Sequence, residues 1–314
     1  MVRALLLVNP NATTTNARTR DVLVRALRSE VDLELGETLH RGHAADLAYD
    51  ATRAEIDIVV ALGGDGTVNE VVNGLLRDGP GEHVPALAVV PGGSTNVFAR
   101  AVGLPRDPVE ATGEILESIR EKRFRTVGLG RADDRWFTFC AGLGLDAEVV
   151  RRVEGARTRG RTASRSLYLR ATIAQYFVGT ERSTPLLTLH RPGGVVVEGL
   201  SMAIVQNTAP WTYWGDRAVH PSPRASFDTG LDLFALRALR LPSTLRAARQ
   251  ILAKRPDPDG RRDPHGRRVY GLHDEDSFRL VAERPLAVQV DGDYLGERTE
   301  VTFTAEPEAL RVVV

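Results

Sequence analysis

The sequence predicts an α/β amino-terminal domain on a parallel sheet, followed by a mostly antiparallel β-rich domain. Three observations carry this. Apolar runs alternate with helical patterns from ALLLV (4–8) to ALAVV (86–90), the βαβ order of parallel strands with right-handed crossovers. Beyond Arg125 the pattern changes to short, often alternating strands separated by turns. A length of 314 residues favours two cores over one.

Taken in order, ALLLV is a strand, a polar stretch with Val22, Leu23 and Leu27 a helix, VDLEL (31–35) a strand, an Ala-rich segment a helix and IDIVVAL (56–62) a buried strand. After GGDG, Val68, Val71, Val72, Leu75 and Leu76 fall at helical spacing and stop at Gly79-Pro80. ALAVV is a further buried strand. Helices are predicted over Ser94–Val102 and Pro108–Glu121. RTVGLG, RWFTFCAG, LDLFALRAL, SFRLVAE, PLAVQVDG and TEVTFTA then read as antiparallel strands, interrupted by helices near Ser164–Gly179 and Ser243–Lys254. The Pro-, Gly- and charge-rich segment 254–268 reads as a loop. The domains are set at 1–127 and 128–314, with the last strand free to return to the first.

Composition narrows the partners. With 41 basic and 41 acidic side chains there is no net field for nucleic acid, so any basic surface is local. Arginines cluster at 151–170 and 237–268, by default as solvated faces. The single Cys140 lies in an apolar stretch, which excludes an internal disulfide and fits a reducing, cytoplasmic setting. No apolar run reaches the length of a membrane span. The histidines lack metal-ligand spacing and read as structural or exposed.

The chemistry-bearing motif is ALGGDGTVNE (61–70). Glycines leaving a strand let backbone amides approach a phosphate, and Thr67 and Glu70 have the spacing of a capping box that defines the helix start. Asp65 suits that place if Mg²⁺ stands between it and phosphate, or if it orients a hydroxyl. A bare Gly-Asp-Gly turn is the plainer reading. The second loop, PGGSTN (91–96), repeats the chemistry after the next strand, with Ser94, Thr95 or Asn96 as helix cap. VNPN and TLHRGH follow the first two strands. In a parallel sheet all four loops border one carboxyl-end crevice, where open α/β sheets bind ligands. Nothing matches GxxxxGK[ST] or GxGxxG.

With VNPNA (8–12), TLHRGHAADL (38–47), GGDGTVNEVVNGLL (63–76), PGGSTNVFARAVGLP (91–105), CAGLGLDAEV (140–149), FDTGLDLFAL (227–236) and VDGDYLGE (290–297) in order along nearly the whole chain, the sequence resembles the bacterial diacylglycerol and related lipid kinases, which share a catalytic domain with sphingosine kinases. The resemblance implies a Rossmann-like nucleotide domain, a carboxyl-terminal β-sandwich and an active site in the cleft between them. It puts ATP against Asn9, Asn11, Thr38, Gly63, Gly64, Asp65, Gly66, Thr67, Asn69 and Ser94, with Mg²⁺ beside Asp65. It matches Asp291 and Asp293 to the family's acidic DGE pair, Asp291 as general base with Asp293 and Asp65 organising metal and hydroxyl. It matches Asp228 and Asp232 to a segment that holds a structural Mg²⁺, although DTGLD departs from the usual pattern. By composition alone, Asp-Gly within VQVDGDYLG is a hairpin turn. Val97 stands where the family's second loop commonly carries an aspartate, leaving the acidic network one carboxylate short.

The expectation is an ATP- and Mg²⁺-dependent lipid kinase, with diacylglycerol the favoured substrate, cytoplasmic and in peripheral contact with the inner membrane face. For such a kinase the arginine clusters would contact anionic lipid. Trp211, Tyr213 and Trp214 read as core, or as an interfacial aromatic group. A soluble small-molecule kinase of the NAD-kinase type shares GGDGT but gives no reason for DTGLD and VDGD. A catalytically silent nucleotide- or lipid-binding regulator is the reading Val97 favours. The oligomeric state is left open, a homodimer included.

Overall fold

The computed structural model describes residues 1–10, 17–157, 186–237, 239–252 and 263–314. The expected helix at 164–179, Asn11, and large parts of both arginine-rich segments lie outside these. The chain divides into two compact units, Met1–Leu129 with Pro307–Val314, and Gly130–Glu306.

The first unit alternates strand and helix: β1 (Arg3–Val8), α1 (Ala17–Arg28), β2 (Asp32–Glu37), α2 (His43–Arg53), β3 (Ile58–Gly63), α3 (Asp65–Leu75), β4 (Ala86–Pro91), α4 (Val97–Ala101) and α5 (Pro108–Glu121). β3 and β4 are buried along their whole length, as their unbroken apolar runs require of central parallel strands. The order is β2-β1-β3-β4, all parallel, and Val312 of the last strand pairs with Leu87 beyond β4. β1 therefore has β2 on one side and β3 on the other, which makes β1/β3 the topological switch point of the sheet. α3 buries Val68, Val71, Val72 and Leu75 against it. α5 begins where Asp107 accepts from the amides of Val109 and Glu110, with Pro108 in the first turn.

β5 (Phe124–Ala132) leads into the second unit, which contains β6 (Arg135–Phe137), β7 (Cys140–Leu143), α6 (Leu145–Arg157), β8 (Leu187–His190), β9 (Val196–Leu200), β10 (Met202–Gln206), β11 (Thr212–Trp214), β12 (Arg217–Val219), β13 (Leu231–Leu236), α7 (Leu241–Ile251), β14 (Val269–Glu275), β15 (Ser277–Val290) and the first part of β16 (Asp293–Val313), whose end from Pro307 belongs to the first unit. Among the described residues its strands pair antiparallel: β14-β13-β10-β7-β15-β16, with β8 and β9 continuing from the other stretch of β15. One core is built on Phe137, Leu189, Leu233, Leu280 and Phe303. A smaller one joins α6 and α7 to Met202, Ile204 and Phe234. The unit is thus antiparallel and β-rich. Cys140 is a buried core residue.

Candidate active site

The carboxyl ends of β1, β2, β3 and β4 are stitched together by their loops. Asn9, one residue past β1, donates its backbone N–H to Leu62 (3.3 Å) and its side-chain amide to Thr67 Oγ1 (3.2 Å). Thr38, past β2, donates to the Val8 carbonyl at 2.9 Å, and Gly92 donates to the Gly63 carbonyl at 2.7 Å. Asn9, Thr38, Gly63, Gly64, Asp65, Gly66, Thr67 and Ser94 thus share one sheet edge at the switch point. Ser94 is exposed and Gly64, Asp65 and Gly66 are half-buried, whereas Asn69 is fully buried and accepts from the Asn73 side chain at its own carbonyl (2.8 Å) and Oδ1 (3.2 Å).

The helix start differs from the capping-box expectation. α3 begins at Asp65 behind Gly64, with no side-chain cap. The Thr67 hydroxyl, expected to cap, is instead tied to Asn9, a partner 58 residues away. Asp65 occupies the first turn of α3, where a carboxylate complements the positive end of the helix dipole. Its Oδ1 accepts from the Phe98 amide at 3.2 Å, so the one side chain also tops α4. The second helix is shorter than expected. Asn96, in the left-handed region at φ 51°, closes the loop on Gly93 through bonds of 2.9 and 2.8 Å, and α4 runs only from Val97. Val97 is 1% exposed, a core residue of this short helix.

The two glycine loops touch. A Cβ on Gly93 would stand 2.6 Å from Gly64 Cα, and one on Gly64 would stand 3.1 Å from Gly93 Cα. Gly64 has φ −92° and ψ −176°, open to any residue. Glycine there allows the two loops to approach each other closely.

In the second unit VDGD forms the hairpin turn that its composition predicted. Val290 pairs with Asp293, and Asp291 (φ 48°) and Gly292 (φ 85°) between them have the two positive φ values of a type I′ turn. The Asp291 carboxylate is 4% exposed. Its Oδ2 accepts from the Thr138 amide (2.7 Å) and hydroxyl (2.9 Å), and Oδ1 accepts from the amides of Phe139 and Cys140 (both 3.0 Å). A carboxylate offers about four lone-pair sites, and these four donors engage all of them. These bonds hold the Asp291 side chain against the 138–140 segment under the turn. Asp293 opens β16 on the far side of the turn, half-buried.

The DTGLD segment does not fit the divalent cation expected of it. Asp228 is exposed and bonded to Ser226, while Asp232 is 2% exposed on β13. Asp232 Oδ1 accepts from the Asp274 amide (3.1 Å) and pairs with His273 Nδ1 (2.7 Å). Asp274, at φ 60°, accepts from Gly230 N at 2.7 Å, so these bonds fasten a bulge between β13 and β14. Burial pushes the Asp232 carboxyl above its ordinary range, against the lowering effect of those bonds. Mg²⁺ dehydrates reluctantly and keeps several waters, and a dry carboxylate already holding an imidazole and an amide leaves no room for them. His273, one of the histidines that the sequence marks as structural or exposed, has its partner across a strand pair, at a separation no local spacing reveals. The glycine-loop edge fits Mg²⁺ differently. Among the described residues no three His, Cys, Asp or Glu side chains converge on a metal position, but Mg²⁺ in phosphoryl-transfer sites is commonly held by one or two carboxylates plus substrate phosphates. Asp65 can supply such a carboxylate.

Comparison with known proteins agrees with this architecture. Residues 3–132 match the diacylglycerol kinase catalytic domain, a stretch that holds the parallel sheet and both glycine loops. The diacylglycerol kinase of Bacillus subtilis (strain 168) is 33% identical over 153 residues, 48% of this chain and 48% of that protein. The diacylglycerol kinase of Staphylococcus haemolyticus is 35% identical over 129 residues, 41% of this chain and 37% of that protein. The matched stretch thus spans about half or less of these relatives. A crystal structure of a diacylglycerol kinase from Bacillus anthracis str. Sterne superposes with a TM-score of 0.72 at 20% identity, covering 99% of this chain and 96% of that one, which extends the shared fold to both units. The resemblance to the diacylglycerol and lipid kinases is borne out, and so is the fold class.

Proposed function

We propose that the protein is an ATP- and Mg²⁺-dependent kinase that transfers the γ-phosphoryl group to a lipid hydroxyl, with diacylglycerol the favoured acceptor. The observation that carries this reading is the pair of abutting glycine loops at the β1/β3 switch point, with Asp65 between them, inside the stretch that matches the catalytic domain. Backbone amides at the start of α3 suit phosphate oxygens, and the helix dipole favours negative charge there. Asn9, Thr38 and Ser94 border the same edge and suit the remainder of the nucleotide. Asp65 would hold Mg²⁺, which when bound supplies neutralisation of the phosphate charge. Asp65 is kept in place by its bond to Phe98 N, and the Asn9–Thr67 bond sets the entry to the helix. Positioning and charge neutralisation account for most of phosphoryl transfer, and Asp291 is the proposed base toward the acceptor hydroxyl, with Asp293 beside it. A lipid acceptor is supported by the relatives, which are named diacylglycerol kinases.

The test is γ-labelled ATP with Mg²⁺ and a total membrane lipid extract, with NAD in a parallel reaction. Labelled phosphatidic acid is the expected product. Labelled NAD, or no labelled lipid, would overturn the proposal.

A further inference from the structure

α7 has the sequence LPSTLRAARQI and carries no acidic residue. Ala247, 3% exposed, sits in the core formed by Leu145, Val149, Phe234 and Leu239, with Ile251 packed against it. The outward positions do not look like an ordinary solvated face. Leu241 is 44% and Leu245 60% exposed, and Arg249 continues the same line at helical spacing. Pro242 and Arg246, both exposed, form the adjacent line. Arg240, Arg246 and Arg249 make no ion pair with a carboxylate of any described residue. The carboxyl end of the helix is fastened to the β11–β12 hairpin: the Arg217 guanidinium donates to the Leu252 carbonyl and His220 N donates to the Ile251 carbonyl (2.8 Å). That hairpin carries Trp214, 50% exposed, paired with Arg217.

We propose that α7 is a lipid-docking helix that lies in the headgroup layer of an anionic bilayer, with Leu241 and Leu245 entering the acyl boundary and Arg246 and Arg249 meeting lipid phosphates. Exposed leucines leading into arginines that pair with no carboxylate among the described residues, on one helix face, is the distribution of an interfacial helix, in which long basic side chains reach the headgroups while apolar ones sink below them. Trp214 adds a side chain of the kind enriched at that depth. Charge decides against a second copy of the chain as the occupant. A two-fold contact through this face would bring like arginines together, and two leucines offer far less than the roughly 800 Å² per partner of a stable interface. The purpose of the surface rests on the lipid-kinase reading, since such an enzyme must reach an acceptor held in a membrane, but the binding is measurable without catalysis.

The experiment is sedimentation of the full chain with vesicles of phosphatidylcholine alone and of phosphatidylcholine mixed with phosphatidylglycerol, at low and high salt. Wild type is expected to prefer the anionic vesicles about tenfold or more, with the preference shrinking in high salt. Leu241→Glu/Leu245→Glu is expected to weaken that binding about tenfold, and Arg246→Ala/Arg249→Ala to remove most of the salt dependence. The four side chains are exposed, so circular dichroism should be unchanged in both variants. Anionic-vesicle binding that both variants retain in full would overturn the proposal, as would a loss of self-association in the leucine variant with vesicle binding intact. Wild type that binds vesicles yet phosphorylates no lipid leaves this inference standing and defeats the kinase reading. Phosphorylation of a short-chain, water-dispersed diacylglycerol without vesicle binding does the reverse.

Discussion

Gly93 and Gly64 face each other so closely that a Cβ on Gly93 would stand 2.6 Å from Gly64 Cα and 2.9 Å from Asn96 Oδ1. One contact therefore fixes both loops, and a methyl group at Gly93 must displace backbone. Gly93→Ala is expected to cost about 1–3 kcal/mol of stability and to weaken ATP binding by roughly tenfold or more, since nucleotide groups held at the edge lose their positions. Gly64→Ala, whose Cβ would have 3.1 Å, should do less of both. Calorimetric titration with ATP beside thermal melts checks the order. Equal, unimpaired affinities would separate the loop contact from the nucleotide.

Asp291 fills its acceptor sites with Thr138, Phe139 and Cys140. In Asp291→Asn one oxygen becomes an NH₂ that faces two donors, which leaves buried amide or hydroxyl groups without partners at about 1–3 kcal/mol each. The variant should melt several degrees below wild type. A variant that melts like wild type but turns over roughly 10²-fold more slowly would assign Asp291 to the chemistry as general base.

Val97 is enclosed in α4, so the family's aspartate cannot be restored by one substitution. Val97→Asp would bury a carboxylate in an apolar site, at a cost of about 3 kcal/mol or more. Reduced soluble yield and melting temperature are expected, with no gain in Mg²⁺-dependent turnover. A stable Val97→Asp protein of higher activity would show that the helix can turn this position outward.

The legible and illegible parts of the molecule divide by range. IDIVVAL and ALAVV announced buried parallel strands because burial on both faces needs unbroken apolar runs, and both lie fully inside. The helix predicted over Pro108–Glu121 is α5, and its capping bonds from Asp107 reach only two and three residues ahead. Asp-Gly announced the turn at 291–292 for the same reason. The features that no local pattern states depend on distant partners. Thr67 is claimed by Asn9 across 58 residues, Asp291 by Thr138 across 153, and Asp232 by His273 across 41. A local motif states which atoms are available, and tertiary pairing decides what they hold.

His220 gives a pH dependence. Its backbone bonds to the end of α7, its Nδ1 is buried without a hydrogen-bond partner among the described residues, and burial lowers its basicity below the ordinary 6.5. The unfolded chain therefore binds more protons than the folded one below about 6.5, so stability is fully present above that value and is lost as pH falls through the lower folded value. Denaturant melts from pH 8 to 5 should show this decline in wild type and a shallower one in His220→Gln. Parallel declines would assign the effect to other groups.

Asp65 is the residue on which the proposed chemistry most directly rests, and its substitution separates chemistry from fold. In Asp65→Asn the amide oxygen can still accept from Phe98 N at 3.2 Å, so the link between α3 and α4 survives and the melting temperature should change little. The negative charge is lost, and with it the group that would hold Mg²⁺ beside the phosphates. Turnover in the lipid-labelling reaction should fall by roughly 10²-fold or more, and the concentration of Mg²⁺ needed for half-maximal rate should rise. ATP affinity measured without Mg²⁺ should hold or improve, because a carboxylate beside bare phosphate is repulsive. A folded Asp65→Asn protein with wild-type turnover and unchanged Mg²⁺ requirement would confine Asp65 to capping α4 and would leave the glycine loops without the carboxylate that the transfer reaction needs.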